Sequence, residues 1–283
     1  MSKILVHLYS YKERNLIEFL DVLKSKSSGT NEIKFYVTDQ NNLTRLKYFT
    51  DKDILYNVVW WDELISPVFH TGKCIVENAD KGYDYALVLQ RELEIPENWD
   101  TYLVDNLADN SILSGIGKYD ISIKNNFYIN RTIKETSEIT KTSYLDQSLI
   151  FGKYPDILSL EWPLPLKYYG VDEYLSIDLI NKGIDIYSLP SDIFKYMSPS
   201  LDRRGYVPFS LNHNYNDVLD ILIHKKSSKL QYKDPSGFIE INGLNTSKLY
   251  NLPFDFNDIE YNRSSEFDNS GGKRYIEKLT SVS

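Results

Sequence analysis

Between residues 86 and 94 the chain reads Ala-Leu-Val-Leu and then Gln90, Arg91, Glu92, Leu93 and Glu94. An amide, a guanidinium and two carboxylates follow a buried-looking apolar run at once. Such a set can hydrogen-bond, hold an anion through the arginine, or hold a hard cation through the acids. A second acidic pair, Asp172-Glu173, opens the segment "GVDEYLSIDLINKG". Single polar residues close other apolar runs, as Ser10 and Tyr11 do after "KILVHLY" and Asp39 does after "NEIKFYVT". Loops are polar by default, so the plain reading of each group is a solvated strand end. For Asp172 it is a helix cap that also favours the helix dipole, worth about 0.5 to 1 kcal/mol.

The elements that must position these groups follow from periodicity. Residues 3–9 suit a buried strand, and "ERNLIEFLDVLKSK" puts Leu16, Ile17, Leu20 and Leu23 on one helical stripe. "NEIKFYVTD", "ILYNVVWWD" and "YDYALVLQ" predict three more strands, with a helix over 71–80 before the last. Strands alternating with helices imply right-handed crossovers and a mostly parallel sheet that binds ligands at its carboxyl edge. The polar ends "SYKE", "TDQNN", "WDE" and "QRELE" therefore share one edge. Further on, "TYLVDNLAD" suits a helix, "SILSGIG" and "YDISIKNNFYI" suit strands, and residues 131–148 predict a mobile loop. A helix stopped by Gly183, a strand over "DIYSLP", a helix over "YNDVLDILIHK" and a flexible, charged end complete the chain.

Composition bounds the function. The 283 residues carry a net charge of -8, which argues against a sequence-independent nucleic-acid binder acting through its overall field. A lone cysteine, Cys74, excludes an internal disulfide framework, and no stretch nears the roughly 20 apolar residues of a membrane span. The expectation is a cytoplasmic protein. His7, His70, His213 and His224 show no metal-ligand spacing and read as packing or surface groups.

Three blocks carry a resemblance over about the first two-thirds of the chain. They are "VHLYSYKE", "GKCIVENADKGYDYALVLQRELEIPENWD" and "GVDEYLSIDLINKGIDIYSLPSD". Together they resemble the GT-A glycosyltransferases, in particular the branch that transfers N-acetylglucosamine to hydroxyproline in cytoplasmic protein and its mucin-type relatives. The resemblance implies an α/β, Rossmann-like GT-A domain over 1–199, its mostly parallel sheet flanked by helices, and a C-terminal acceptor or lid extension over 200–283. It implies an enzyme that moves a sugar from a nucleoside diphosphate, a UDP-sugar, to a hydroxyl acceptor.

It also implies roles. Ser10, Tyr11 and Asp39 contact the nucleoside, Lys73 stands where the family has an arginine beside the diphosphate, and Asp172, with Glu173 next to it, serves the acceptor hydroxyl as base or orienting group. The family's acidic metal motif falls on Gln90, Arg91 and Glu92, where only the last acid remains. Two readings stay open: Glu92 ligates manganese or magnesium, or Arg91 with Lys73 or Lys195 replaces the ion. The family's further histidine is absent near Lys195, which favours the metal-free form. For the acceptor, hydroxymethylcytosine in bacteriophage DNA is one expectation, from the skewed composition and a basic rim at Arg203, Arg204, Lys225, Lys226 and Lys229; the location would then be the host cytoplasm. A polysaccharide or protein acceptor is the alternative, and a non-catalytic module binding glycans or sugar nucleotides is a third.

Overall fold

The computed structural model describes residues 1–11, 15–40, 45–52, 54–59, 67–89, 93–124, 128–163, 170–196, 215–224, 230–231 and 233–249. In chain order the elements begin β1 (Lys3–Tyr11), α1 (Leu16–Ser25), β2 (Glu32–Gln40), α2 (Leu46–Asp51), β3 (Leu55–Val59), α3 (Pro67–Glu77) and β4 (Tyr85–Leu89). They continue with β5 (Leu93–Glu94), α4 (Trp99–Asp105), β6 (Ser111–Ile116), β7 (Lys118–Lys124), β8 (Tyr128–Lys134), β9 (Thr140–Thr142) and β10 (Leu149–Lys153). After α5 (Tyr154–Ser159) come α6 (Val171–Asn181), β11 (Asp185–Leu189), β12 (Lys195–Tyr196), α7 (Tyr215–His224) and α8 (Ser236–Ile241).

Eight strands form the central sheet in the order β3-β2-β1-β4-β10-β6-β11-β9. β1 pairs in parallel with β2 and β4, and β2 does so with β3. β10 is antiparallel to both β4 and β6, so β6 runs in the direction of β4; β11 follows β6 and β9 opposes it. Six strands thus deliver their carboxyl ends to one edge. β10 starts there instead, because Leu149 lies opposite Leu89 at the end of β4. Since α6 leads down into β11, its first turn also stands at this edge.

β1 shows why the sheet is central. Ile4, Val6 and Leu8 join the core beneath α1 and α4, while Leu5 joins the core beneath α3, α5 and α6. A strand covered on both faces needs an unbroken apolar run, which is what "KILVHLY" supplies. Trp99 closes the α1 side, fully buried with its Nε1 donating to the Leu23 carbonyl at 2.8 Å. On the other side Val218, Leu219, Leu222 and Phe238 of α7 and α8 share one core with Val171, Leu175 and Leu179 of α6.

Three sequence expectations are changed or refined. "YDISIKNNFYI" forms most of a hairpin, β7 against β8, in a sheet of its own. Residues 131–148, expected to be a loop, hold the second half of β8 and all of β9, and Tyr144 to Ser148 are buried. Their polar side chains are satisfied inside the protein, so polarity here marks an internal network. The helix expected over 71–80 starts earlier, at Pro67, whose missing N–H costs nothing in a first turn. The charged end from 250 onward lies outside the described residues.

Candidate active site

Polar groups gather at both ends of the sheet's carboxyl edge. At the β1–β2 end, parallel register sets Ser10 beside Asp39, both fully buried. Arg45, which precedes α2, closes on Asp39 with Nη1 at 3.2 and 3.4 Å from the two carboxylate oxygens. Burial pushes the Asp39 carboxyl up to about 6, while Arg45 and the neighbouring Ser10 pull against that rise. The Ser10 hydroxyl makes no hydrogen bond of good geometry, so its influence is that of a nearby dipole. Tyr11 ends β1 and lies opposite Gln40; its side chain lies outside the described set.

The opposite face of the same strands carries two histidines. His7 Nε2 lies 3.1 Å from Thr38 Oγ1, and His70 of α3 stacks on Tyr9 with ring centroids 5.7 Å apart. Burial lowers both, His7 to about 3 and His70 to about 4, so both imidazoles are neutral near pH 7. Both rings are buried, His7 on β1 and His70 against it. Lys73 is not brought to the edge: its amine lies 3.8 Å from Glu77, one turn further from the sheet mouth along α3.

In the middle of the edge, β4 ends at Leu89, and Gln90, Arg91 and Glu92 lie outside the described residues. The chain reappears as β5, which pairs antiparallel with β12 so that Lys195 stands opposite Glu94. Lys195 thus stands opposite a residue two positions after Glu92 in the chain. Among the described residues, which do not include Glu92, no group of three or more His, Cys, Asp or Glu side chains could hold a metal ion.

At the far end, four segments meet. Asp172 is not a cap: Gly170 occupies the N-cap with φ 84°, and Asp172 lies inside the first turn of α6. Its Oδ1 accepts the Gln147 backbone N–H at 3.0 Å, and its Oδ2 accepts Arg131 Nη1 of β8 at 2.8 Å and the Tyr144 hydroxyl at 3.4 Å. Glu173 accepts the same hydroxyl at 3.4 Å. Asp146, just before β10, takes Tyr119 Oη at 2.8 Å on one oxygen and the Ser148 N–H and hydroxyl at 2.9 and 2.6 Å on the other. Arg131 reaches it at 3.7 Å and covers the Tyr144 ring with the guanidinium carbon 5.7 Å from the centroid.

Three buried carboxylates thus share one guanidinium, an excess of two negative charges when all are ionised. Burial raises Asp172 and Glu173, with Arg131 opposing the rise in both. Burial and the two acids push the Tyr144 phenol upward too, so it remains a donor. Gly115 makes room: with φ +70°, its absent Cβ would sit 2.3 Å from Tyr119 Oη and 2.9 Å from Asp146 Cβ.

Asp172 and Glu173 are therefore brought together as the sequence predicted, and so are Ser10 and Asp39. Arg131, Asp146, Tyr144, Tyr119 and Arg45 were missed. Only Asp146 left a trace, since "LIFGK" after it is an apolar run that could have been read as a strand beginning at the edge.

No protein-family model matches the chain, and no curated protein matches it in sequence. Solved structures do match. GalNAc-T7, solved with UDP, GalNAc and Mn2+, superposes with a TM-score of 0.55 at 13% identity, over 94% of this chain and 58% of that one. S. aureus TarS 1-349 in complex with UDP gives 0.54 at 12% identity, over 98% and 78%. The mannosyltransferase PcManGT from Pyrobaculum calidifontis, with GDP-Man and Mn2+, gives 0.50 at 12% identity, over 85% and 68%. The chain has the GT-A fold of nucleotide-sugar glycosyltransferases, and it spans just over half the length of GalNAc-T7. Among the described residues no helix is long and apolar enough to cross a membrane.

Proposed function

We propose that the protein is a glycosyltransferase that moves a sugar from a UDP-sugar to a neutral hydroxyl acceptor. The observation that carries this reading is the placement of groups at one sheet edge, with Ser10 and Asp39 at β1–β2 and Asp172 with its partners where β10 and α6 begin, while Lys195 lies opposite Glu94 on β5, the strand that follows β4 in the chain. β2 and β10 are three strand positions apart, about 14 Å at roughly 4.8 Å per step. Nucleoside and transferred sugar are likewise set apart in a donor, by its diphosphate.

In this reading Asp39 accepts hydrogen bonds from the nucleoside, and Lys195 offsets charge on the departing diphosphate. The acceptor oxygen bonds to the anomeric carbon, the bond from that carbon to the diphosphate oxygen breaks, and Asp172 takes the hydroxyl proton, Glu173 standing next to it. No step in this reading is routed through a metal.

A neutral acceptor, a glycan or a protein hydroxyl, follows from electrostatics. The acceptor end carries more carboxylates than cations and the whole chain is at -8, so a polyanion such as DNA is repelled there. The basic rim that motivated a DNA acceptor lies outside the described residues. The test is UDP release from a panel of UDP-sugars, with neutral glycans or hydroxymethylated duplex DNA as acceptors, each with and without EDTA and across salt. Expected is turnover on a neutral acceptor, unchanged by chelator and nearly unchanged by salt. UDP-sugar binding with no turnover on any acceptor would leave a non-catalytic module. Steeply salt-sensitive turnover on DNA would overturn the acceptor assignment, and loss of activity in EDTA the metal-free one.

A further inference from the structure

Asp172 can take a proton only if it is ionised beforehand, and its surroundings work against that. The carboxylate is buried with Glu173 beside it on α6 and Asp146 across from it before β10. Tyr144 faces it from the segment before β10, and Tyr119 of β7 holds Asp146. These neighbours are acids or neutral phenols; the cation facing Asp172 among the described residues is Arg131. Arg131 comes from the β7–β8 hairpin, outside the central sheet, with its side chain 31% exposed, so it enters the cluster from the open side.

Resting on the glycosyltransferase reading, we propose that Arg131 is the positioning residue of the acceptor end: it keeps Asp172 in the proton-accepting form and, with the Gln147 N–H, fixes where its carboxylate points. The geometry suits arginine in particular. A single terminal nitrogen lies 2.8 Å from Asp172 and 3.7 Å from Asp146, while the planar group lies over the Tyr144 ring. A lysine would keep the charge and lose the stacked plane. Without any cation, three buried carboxylates would remain and the cluster would retain a proton at neutral pH.

R131M and R131K test this on the full chain. In R131M the acid limb of the kcat/KM profile moves to higher pH by about 1 to 3 units, the usual influence of an adjacent arginine on an aspartate. UDP-sugar affinity stays within twofold, since the nucleoside end is three strands away, and R131K falls between R131M and the parent. A second readout does not need turnover: carbon-13 carboxyl titration of aspartate-labelled protein, with Asp172 assigned by its loss in D172N, shows the same upward movement. If the parent transfers no sugar, the glycosyltransferase reading fails while the titration still decides the role of Arg131. If R131M does not fold, R131K alone gives a smaller movement of the same sign. An acid limb and an Asp172 resonance that stay put would overturn the proposal, as would a parallel loss of UDP-sugar affinity.

Discussion

The two ends of the sheet edge solve the problem of buried charge differently. At the β1–β2 end one carboxylate meets one guanidinium, Asp39 with Arg45, six residues apart in the chain. At the acceptor end three carboxylates crowd one guanidinium, drawn from β8, the segment before β10, and α6, with separations of 41 residues for Arg131–Asp172 and 25 for Gln147–Asp172. The first arrangement is balanced and local. The second is unbalanced and built by long-range packing, and such an excess can be tolerated where a proton must be exchanged. Balance suits binding; imbalance suits proton transfer.

If that contrast is right, the most severe single change lies at the unbalanced end. D172N keeps the shape of the side chain but cannot take a proton, so transfer should fall by about 10²- to 10⁴-fold. UDP-sugar affinity by calorimetry should be retained, and a variant with parental turnover would remove Asp172 from the reaction.

At the balanced end the expected loss is one of stability. R45M leaves a fully buried Asp39 without its cation, and breaking a buried pair costs about 3 to 5 kcal/mol. Denaturant unfolding at pH 8 should show a loss in this range, shrinking as pH falls toward 6, because Asp39 without Arg45 takes up its proton at higher pH than in the parent. A cost independent of pH would mean that Arg45 contributes packing and not charge.

The smallest effect should come from D39N, and its sign follows from the direction of the shift. Asp39 holds its proton more tightly folded, near 6, than unfolded, near 3.8, so its contribution is fully present below about pH 4 and is withdrawn as pH rises through 6. At about 1.4 kcal/mol per pH unit, up to about 3 kcal/mol is at stake. The stability difference between D39N and the parent should therefore change between pH 4 and 6 and be flat above. UDP-sugar binding should strengthen across the same window in the parent, an intact UDP-sugar being the right probe because a terminal phosphate titrates near 6 itself. A difference that is flat throughout would mean that Asp39 is no more buried in effect than any surface acid.

How much could be read beforehand differs between the ends for the same reason. Ser10 and Asp39 were legible because each closes an apolar strand, and parallel pairing of neighbouring strands then makes them neighbours. Asp172 and Glu173 were placed correctly at the edge, but the cap assigned to Asp172 as its plain role belongs to Gly170. The segment 131–148 looked like a loop because several of its groups are paired with distant parts of the chain, Asp146 with Tyr119 and the Leu145 N–H with Ser176, and no local periodicity signals that.

The amino-acid sequence by itself determined the alternation of strand and helix, the edge on which the polar ends emerge, and the adjacency of Ser10 and Asp39, because apolar period and chain order act over a few residues at a time. Only the tertiary structure decided that β10 starts at the edge and runs backward from it, that a hairpin outside the sheet lends Arg131 to Asp172, and that Lys195 returns beside β5. Those depend on which distant segments exclude water together, and a carboxylate's surroundings are set by that packing and not by its neighbours in the chain.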